Sequence, residues 1–141
     1  MLHLEFNSDS ENEGIARIVT SAYIMRFDPD MEEMEDVKTA VSEAVTNCIV
    51  HAYFDENGKI EMDISDKEQI VKIEITDHGI GIPDVKKAME PMYTTKPEEE
   101  RTGMGFSFME AFMDEVHVES TPGHGTTVSM RKEIGWNKPL H

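Results

Sequence analysis

Hydrophobic residues alternate with polar ones in three regions of the chain and recur at helical spacing in the segments between them. The alternation predicts a strand over 3–8, a hairpin of 60–65 with 71–76, and a second hairpin of 116–120 with 126–132 around Pro122 and Gly123. Helical spacing predicts helices over 10–27, 28–53, 84–89 and 103–113. This order of elements predicts an α/β (α+β) two-layer sandwich, with helices packed on one face of a mixed, largely antiparallel sheet.

Each of the two long helices is predicted to bury one apolar stripe. We expect the first to pack through Ile15, Ile18, Val19, Ala22 and Met25. Asp28 followed by Pro29 is a typical pair of N-cap and first-turn residues, so the second helix is predicted to begin there. The predicted core positions of the second helix are Met31, Met34, Val37, Val41, Val45, Cys48 and Ile49.

Length and composition limit the function. With 141 residues, 38% of them hydrophobic, the chain is predicted to form a single domain over 1–141. The formal net charge of −16 argues against nucleic acid or an anionic membrane as a direct partner, because phosphate groups are held by basic side chains. The same charge argues against a polyanion such as ATP, unless a local site and a metal ion reverse the field. No secretion signal or membrane-spanning run is visible and Cys48 is the single cysteine, so a cytoplasmic location is expected.

The second predicted helix carries an unusual set of polar residues. Glu43, Asn47 and His51 are spaced four residues apart and share one helix face. An amide in the middle of a helix needs hydrogen-bond partners, so the set is either a solvated face or a site. As a site, Asn47 would give a carbonyl oxygen to a hard cation such as Mg²⁺, and Glu43 would accept a proton from a nucleophile. The spacing alone leaves both interpretations open.

Asp77 ends the middle hairpin on the side of the sheet that should be buried. It shares strand parity with the apolar residues before it, so its carboxylate is expected to meet hydrogen-bond donors at the rim of the core. Gly79 and Gly81 follow in a turn that would let a flat ligand approach closely. Thr126 on the last strand is predicted to face the core near Asp77. The exocyclic amine of adenine would satisfy the carboxylate, although such turns are also common without a ligand.

A polar stretch over about 90–102 precedes the last predicted helix and is long enough to be a lid. Gly103 and Gly105 open that helix, where free backbone N–H groups and the helix dipole favour an anion. Lys96 and Arg101 flank the glycines in a chain that has few basic residues. Taken alone the stretch would by default be interpreted as a solvated charged loop, and neither GxxxxGK[ST] nor GxGxxG after a strand is present.

The order and spacing of these features resemble a known superfamily. Residues 43–47 resemble the N box, 77–83 the G1 box and 103–106 the G2 box of the Bergerat-fold (GHKL) ATPases and kinases. Within that superfamily, SEAVTN at 42–47 with HAY at 51–53, PMYTTKPE at 91–98 and RTGMGF at 101–106 are similar to the anti-sigma serine kinases, in particular those of sporulation. The resemblance covers about 4–132 and leaves the tail over 134–141 without a counterpart.

The resemblance implies an ATP-dependent protein serine kinase that binds ATP or ADP with Mg²⁺. Such a protein inhibits a sporulation sigma factor, phosphorylates a serine of an anti-anti-sigma antagonist and forms a homodimer. Glu43 would be the general base, Asn47 the Mg²⁺ ligand and Asp77 the acceptor for adenine. The other nucleotide-binding positions would be Gly79, Gly81, Thr95, Lys96, Arg101, Thr102, Gly103, Met104, Gly105, Phe106 and Thr126. Arg17 would contact a partner protein.

Other functions use related features. A stress-response anti-sigma kinase stays open, as does a non-catalytic module that holds a sigma factor and binds nucleotide only as a ligand. The non-catalytic module would not need Glu43. A histidine-kinase catalytic domain normally follows a helical domain with an acceptor histidine, and none of the six histidines has that context. A gyrase- or chaperone-type ATPase needs a transducer domain, for which 141 residues leave no room.

Overall fold

A computed structural model of the chain describes residues 1–53, 57–82, 85, 89 and 105–135. These residues form the strands β1 (Leu2–Asn7), β2 (Lys59–Lys67), β3 (Ile70–Asp77), β4 (Glu115–Thr121) and β5 (Gly125–Glu133). They also form the helices α1 (Glu11–Ile24), α2 (Met31–Asn47) and α3 (Gly105–Phe112). A 3₁₀ turn over Met25–Phe27 follows α1, and a π-helical segment over Cys48–Ala52 follows α2.

The strands form one sheet in the order β1-β2-β3-β5-β4. The expected sheet was mixed and largely antiparallel, and all four pairings that join the described strands are antiparallel. Alternate residues of β2 and β3 are fully buried under the helices, whereas the residues between them face away from the helices. The two-layer sandwich is therefore confirmed.

The second helix begins two residues later than predicted. Asp30, not Asp28, is its N-cap: the Asp30 carboxylate accepts from Glu33 N at 2.7 Å, and Glu33 Oε1 accepts from Asp30 N at 3.0 Å. This reciprocal capping box satisfies two backbone donors, an advantage that Asp28 lacks. Asp28 instead takes a left-handed conformation, with φ of 54°, at the end of the 3₁₀ turn. Met31 becomes the first residue of the helix and is 85% exposed, so its predicted core position is wrong.

The first helix buries a different face from the predicted one. Its buried residues are Ala16, Thr20, Tyr23 and Ile24. Two of these carry hydroxyl groups that are satisfied inside the fold, because Thr20 Oγ1 donates to Ala16 O at 2.9 Å and Tyr23 OH donates to Asp66. The helix is apolar on two faces, and hydrophobic spacing alone selected the wrong one.

The predicted stripe of α1 consequently lies mostly in solvent. Ile15 is 53% exposed, Ile18 67% and Met25 61%, and Ala22 is exposed too. Only Val19 of that stripe packs partly against the core. These exposed residues, Ile15, Ile18, Ala22 and Met25, are called the α1 stripe below.

The other predicted core positions of α2 are confirmed. Val37, Val41, Val45 and Cys48 are buried, while Met34 and Ile49 pack partly against the core. Of the short helix predicted over 84–89 the structure describes only Val85 and Met89, whose backbones are joined by a bond of 3.1 Å from Met89 N to Val85 O. The predicted lid over about 90–102 and most of the tail over 134–141 lie outside the described residues. No helix among the described residues is long and apolar enough to span a bilayer.

Candidate functional site

The carboxylate of Asp77 lies at the end of the central strand and is enclosed by three elements. Asp77 pairs with Thr126 of β5, as strand parity predicted, and the two residues are 4% and 8% exposed. Gly79 N donates to Asp77 Oδ1 at 3.0 Å, and the Thr126 backbone and the Cys48 thiol also donate to this carboxylate. Burial raises the pKa of Asp77 above its ordinary value of 3.8, and these three bonds oppose the rise.

A carboxylate offers about four acceptor positions on its two oxygens. Gly79, Cys48 and Thr126 donate to part of this set, so the carboxylate can also accept from the N–H of a ligand. A buried acceptor of this kind selects a ligand that carries a donor, because an unpaired polar group away from water is costly.

The π-helical segment at the end of α2 brings the helix against Asp77. Cys48 opens this segment, and its thiol hydrogen-bonds to Asp77. Burial and the neighbouring Asp77 hold the pKa of Cys48 well above its ordinary value, so the thiol stays protonated and donates. Further along the segment, Ala52 O accepts from Ile80 N at 3.2 Å. The wider π turn therefore joins the helix to the turn that follows β3.

The turn after Asp77 needs glycine at two positions. A side chain at Gly79 would overlap the carbonyl group of Ala52, so the turn can pack on the π segment only without a Cβ. Gly81 has φ of 78°, a left-handed conformation that other residues rarely adopt, and it lies against the backbone of Thr121. The turn is thus held close to both α2 and the β4–β5 hairpin.

Two hydroxyl groups hold this turn in place. Tyr53 OH accepts from His78 N at 2.6 Å and donates to Lys59 O at 2.6 Å. Ser120 Oγ accepts from Ile82 N at 2.7 Å and lies 2.8 Å from Thr126 Oγ1. The residues on both sides of Asp77 are therefore positioned before any ligand binds.

Glu43 and Asn47 occupy the helix that reaches this site. Both are half-buried and lie one turn apart on α2, as predicted. Asn47 is the last α-helical residue and directly precedes Cys48, so it stands next to the residue that contacts Asp77. The regular spacing does not extend to His51, because that residue lies in the π segment. At this spacing the amide oxygen of Asn47 can bind a hard cation, and the carboxylate of Glu43 can accept a proton.

Of the remaining predicted site residues, the structure describes Gly105, Phe106 and Arg17. Gly105 and Phe106 begin α3, and Phe106 packs partly against the core. Arg17 lies on α1, with its side chain 43% exposed and 3.9 Å from Glu13. Thr95, Lys96, Arg101, Thr102, Gly103 and Met104 lie outside the described residues.

Sequence reasoning missed three residues that hold the site. Cys48 was interpreted only as a small apolar filler, and Tyr53 and Ser120 were given no role. The sequence could have indicated that Cys48 and Tyr53 lie near the site, because both follow Glu43 and Asn47 within the next helical turns. Ser120 has the weaker signal of a polar residue at the end of a strand, and only the register Ser120 to Thr126 reveals its place.

Comparison with known proteins identifies the family of the chain. The family described as "Histidine kinase-like ATPase domain" matches residues 6–132. An anti-sigma F factor of Caldanaerobacter subterraneus subsp. tengcongensis is 54% identical over 138 residues, which cover 98% of this chain and 96% of that protein. An anti-sigma F factor of Bacillus subtilis (strain 168) is 45% identical over 141 residues, which cover 99% and 96%.

Solved structures show the same fold. The catalytic domain of histidine kinase ThkA, in a nucleotide-free form, superposes with a TM-score of 0.60 at 20% identity, over 96% of this chain and 97% of that one. At this identity the likeness concerns the fold alone. The family model matches most of the chain, and the two relatives are 54% and 45% identical to it over nearly its full length. The chain therefore belongs to the histidine kinase-like ATPase family, and within it to the anti-sigma F factors.

Proposed function

We propose that the chain is an anti-sigma factor and an ATP-dependent protein serine kinase. It binds and inhibits a sporulation sigma factor, and it phosphorylates a serine of the anti-anti-sigma antagonist of that complex. The observation that carries the proposal is the buried, preorganised Asp77 with Thr126 beside it, together with Glu43 and Asn47 on the helix that contacts it. The names of the relatives support the sigma-factor half of the proposal.

Asp77 is the proposed acceptor for the exocyclic amine of adenine. Burial raises the pKa of this carboxyl, as expected in a pocket that excludes water. The carboxylate, which already accepts from protein donors, would also accept from the adenine amine. Gly79 and Gly81 let the turn beside the ring pack closely on the backbones of Ala52 and Thr121. Thr126 and Ser120 hold the opposite side of the pocket.

The phosphates are assigned to the segment that resembles the G2 box. Lys96 and Arg101 supply positive charge there, and Thr95, Thr102, Gly103, Met104, Gly105 and Phe106 supply backbone and hydroxyl donors. Gly105 opens α3, an N-terminal helix end that favours an anion. This local positive charge would overcome the repulsion expected from a net charge of −16.

Asn47 is the proposed ligand of Mg²⁺, and Glu43 is the proposed general base. The side-chain oxygen of Asn47 suits Mg²⁺, which prefers oxygen ligands, and the bound ion would neutralise phosphate charge. Glu43 takes the proton of the substrate serine as the serine oxygen bonds to the γ-phosphorus of ATP; the bond to the bridging oxygen breaks and ADP leaves. A hydroxyl needs such a base because it is a weak nucleophile at neutral pH.

The exposed surface of α1 is proposed to bind the partner proteins. The α1 stripe exposes apolar side chains, and Arg17 adds a basic group beside it. Exposed apolar surface bordered by charge is typical of protein interfaces. We assign Arg17 and this stripe to the sigma factor, whose basic, DNA-binding character complements the acidic body of the chain. The active form is proposed to be a homodimer in the cytoplasm.

The test uses Glu43→Gln, with Glu35→Gln on the same helix as the matched control. Glu35 is exposed and pairs only with Lys38 at 3.4 Å among the bonds described. Each purified chain is incubated with labelled ATP and a candidate anti-anti-sigma protein, and phosphate on the antagonist is quantified. Glu43→Gln should bind nucleotide normally and transfer phosphate at least about a hundredfold more slowly, since a general base contributes about 10²–10⁴-fold. Undiminished transfer by Glu43→Gln would remove Glu43 from the mechanism, whereas nucleotide binding without transfer by the wild type would favour the non-catalytic module.

A further inference from the structure

A cluster of ionisable side chains lies on the face of the sheet that points away from the helices. His3 and Glu5 belong to β1, and strand register places them opposite Asp63 and Glu61 of β2. The residues of β2 that alternate with Glu61 and Asp63 are buried on the other face of the sheet, so the core fixes the register of the two strands. Two paired strands thus hold the cluster in one arrangement.

Three of these residues converge on one point. His3 Nε2 is 3.0 Å from Glu5 Oε1 and 3.9 Å from Glu61 Oε1, and one ligand atom from each residue lies within 4.8 Å of the other two. Ligand atoms around a tetrahedral zinc ion are separated by about 3.5 Å, because the bonds are about 2.0–2.2 Å long. The three atoms are therefore close to the spacing of a metal site. Their side chains are 45%, 48% and 22% exposed, which leaves an ion free access.

Outer partners orient two of the three groups. His3 Nδ1 is bonded to Asp63 Oδ1 at 2.6 Å, which turns Nε2 toward the two glutamates. The second oxygen of Glu61 is bonded to His78 Nε2 at 2.7 Å. Metal-binding imidazole and carboxylate groups are usually held by such second partners. This arrangement distinguishes the cluster from His117, whose bond to Glu119 at 3.2 Å has no third ligand among the described residues.

We propose that His3, Glu5 and Glu61 bind a divalent cation of the zinc class, with Asp63 and His78 as positioning residues. One imidazole and two carboxylates suit Zn²⁺, whereas Mg²⁺ prefers an all-oxygen set. Three protein ligands leave a fourth position for water. The site lies on the opposite side of the sheet from α2 and is separate from the Mg²⁺ ligand proposed at Asn47.

The test is calorimetric titration of the chelator-treated full chain with ZnCl₂ in the absence of nucleotide. The wild type should bind one zinc ion. His3→Ala and Glu61→Gln should each weaken binding at least tenfold, and Asp63→Asn should weaken it about tenfold, as for an outer partner. His117→Ala is the matched control, since His117 and Glu119 repeat the spacing of His3 and Glu5 on another exposed strand, and it should bind like the wild type.

Three results would overturn the proposal. Absence of saturable zinc binding to the wild type would show that the cluster is a hydrogen-bonded network only. Binding that is unchanged in both His3→Ala and Glu61→Gln, or weakened equally in His117→Ala, would place the zinc elsewhere. Glu61→Gln keeps the shape of the side chain, and the melting temperature of each variant shows whether it is folded.

Discussion

Asp77→Asn should weaken nucleotide binding without lowering the stability of the fold. The substitution preserves the size of the side chain but removes its charge and can present an N–H₂ group to the ligand. Because Asp77 is 4% exposed, water cannot replace the lost acceptor. A hydrogen bond to a charged group contributes about 1.5–3 kcal/mol. The Kd for ATP and for ADP should therefore rise by about 10- to 150-fold.

The same substitution should not lower the stability of the nucleotide-free chain. Burial raises the pKa of Asp77 above 3.8, so the fold binds its proton more tightly than the unfolded chain does. The stability contributed by this group is fully present below the ordinary pKa and is lost as the pH rises through the raised pKa. Above the raised pKa the charged Asp77 thus opposes folding, and there Asp77→Asn should melt at the same temperature as the wild type or higher. The difference should shrink as the pH falls.

Nucleotide affinity by calorimetry and thermal melting between acidic and neutral pH measure the two effects. Glu74→Gln is the control, because Glu74 lies on the same strand with its side chain 38% exposed on the opposite face. It should bind nucleotide like the wild type. An unchanged affinity in Asp77→Asn would refute the adenine assignment. Strong destabilisation by Asp77→Asn at the upper end of this pH range would show that the buried charge does not oppose folding.

Three further substitutions test the proposed Mg²⁺ ligand, the turn after β3 and the turn between β2 and β3. Asn47→Ala should weaken binding of ATP in the presence of Mg²⁺ by about tenfold and change binding without Mg²⁺ much less, as measured by calorimetry. Tyr53→Phe removes a hydroxyl that bonds His78 N and Lys59 O. It should lower the free energy of unfolding in urea by about 1–3 kcal/mol, since both groups lose a buried partner. Glu68 has φ of 51° in the β2–β3 turn, so Glu68→Asn should raise this free energy by about 1 kcal/mol because asparagine tolerates that conformation.

Strand patterns predicted the sheet side of the site well. Strict alternation in β3 placed Asp77 on the buried face, and the same parity in β5 placed Thr126 opposite it. These predictions succeed because a one-residue slip would expose every apolar side chain of a strand. The order of the strands needed tertiary information, since β5 inserts between β3 and β4.

Helix patterns predicted less, and for identifiable reasons. Ile15 and Ile18 have the spacing of a core stripe, yet Tyr23 and Ile24 on another face fill the core. A helix with two apolar faces gives no sequence signal for which one packs. The start of α2 was predictable in principle, because Glu33 follows Asp30 by three residues and completes a capping box that Asp28 does not. The π segment that carries Cys48 to Asp77 has no such local signal.

Mass spectrometry of the antagonist shows directly whether the chain transfers phosphate to a serine. The wild-type chain is incubated with ATP, Mg²⁺ and a candidate anti-anti-sigma protein, and the modified residue is mapped at neutral pH under conditions that preserve phosphohistidine. We expect phosphate on one serine of the antagonist and none on the chain itself. Phosphate on a histidine of the chain, with the antagonist unmodified, would show that the chain is not a serine kinase.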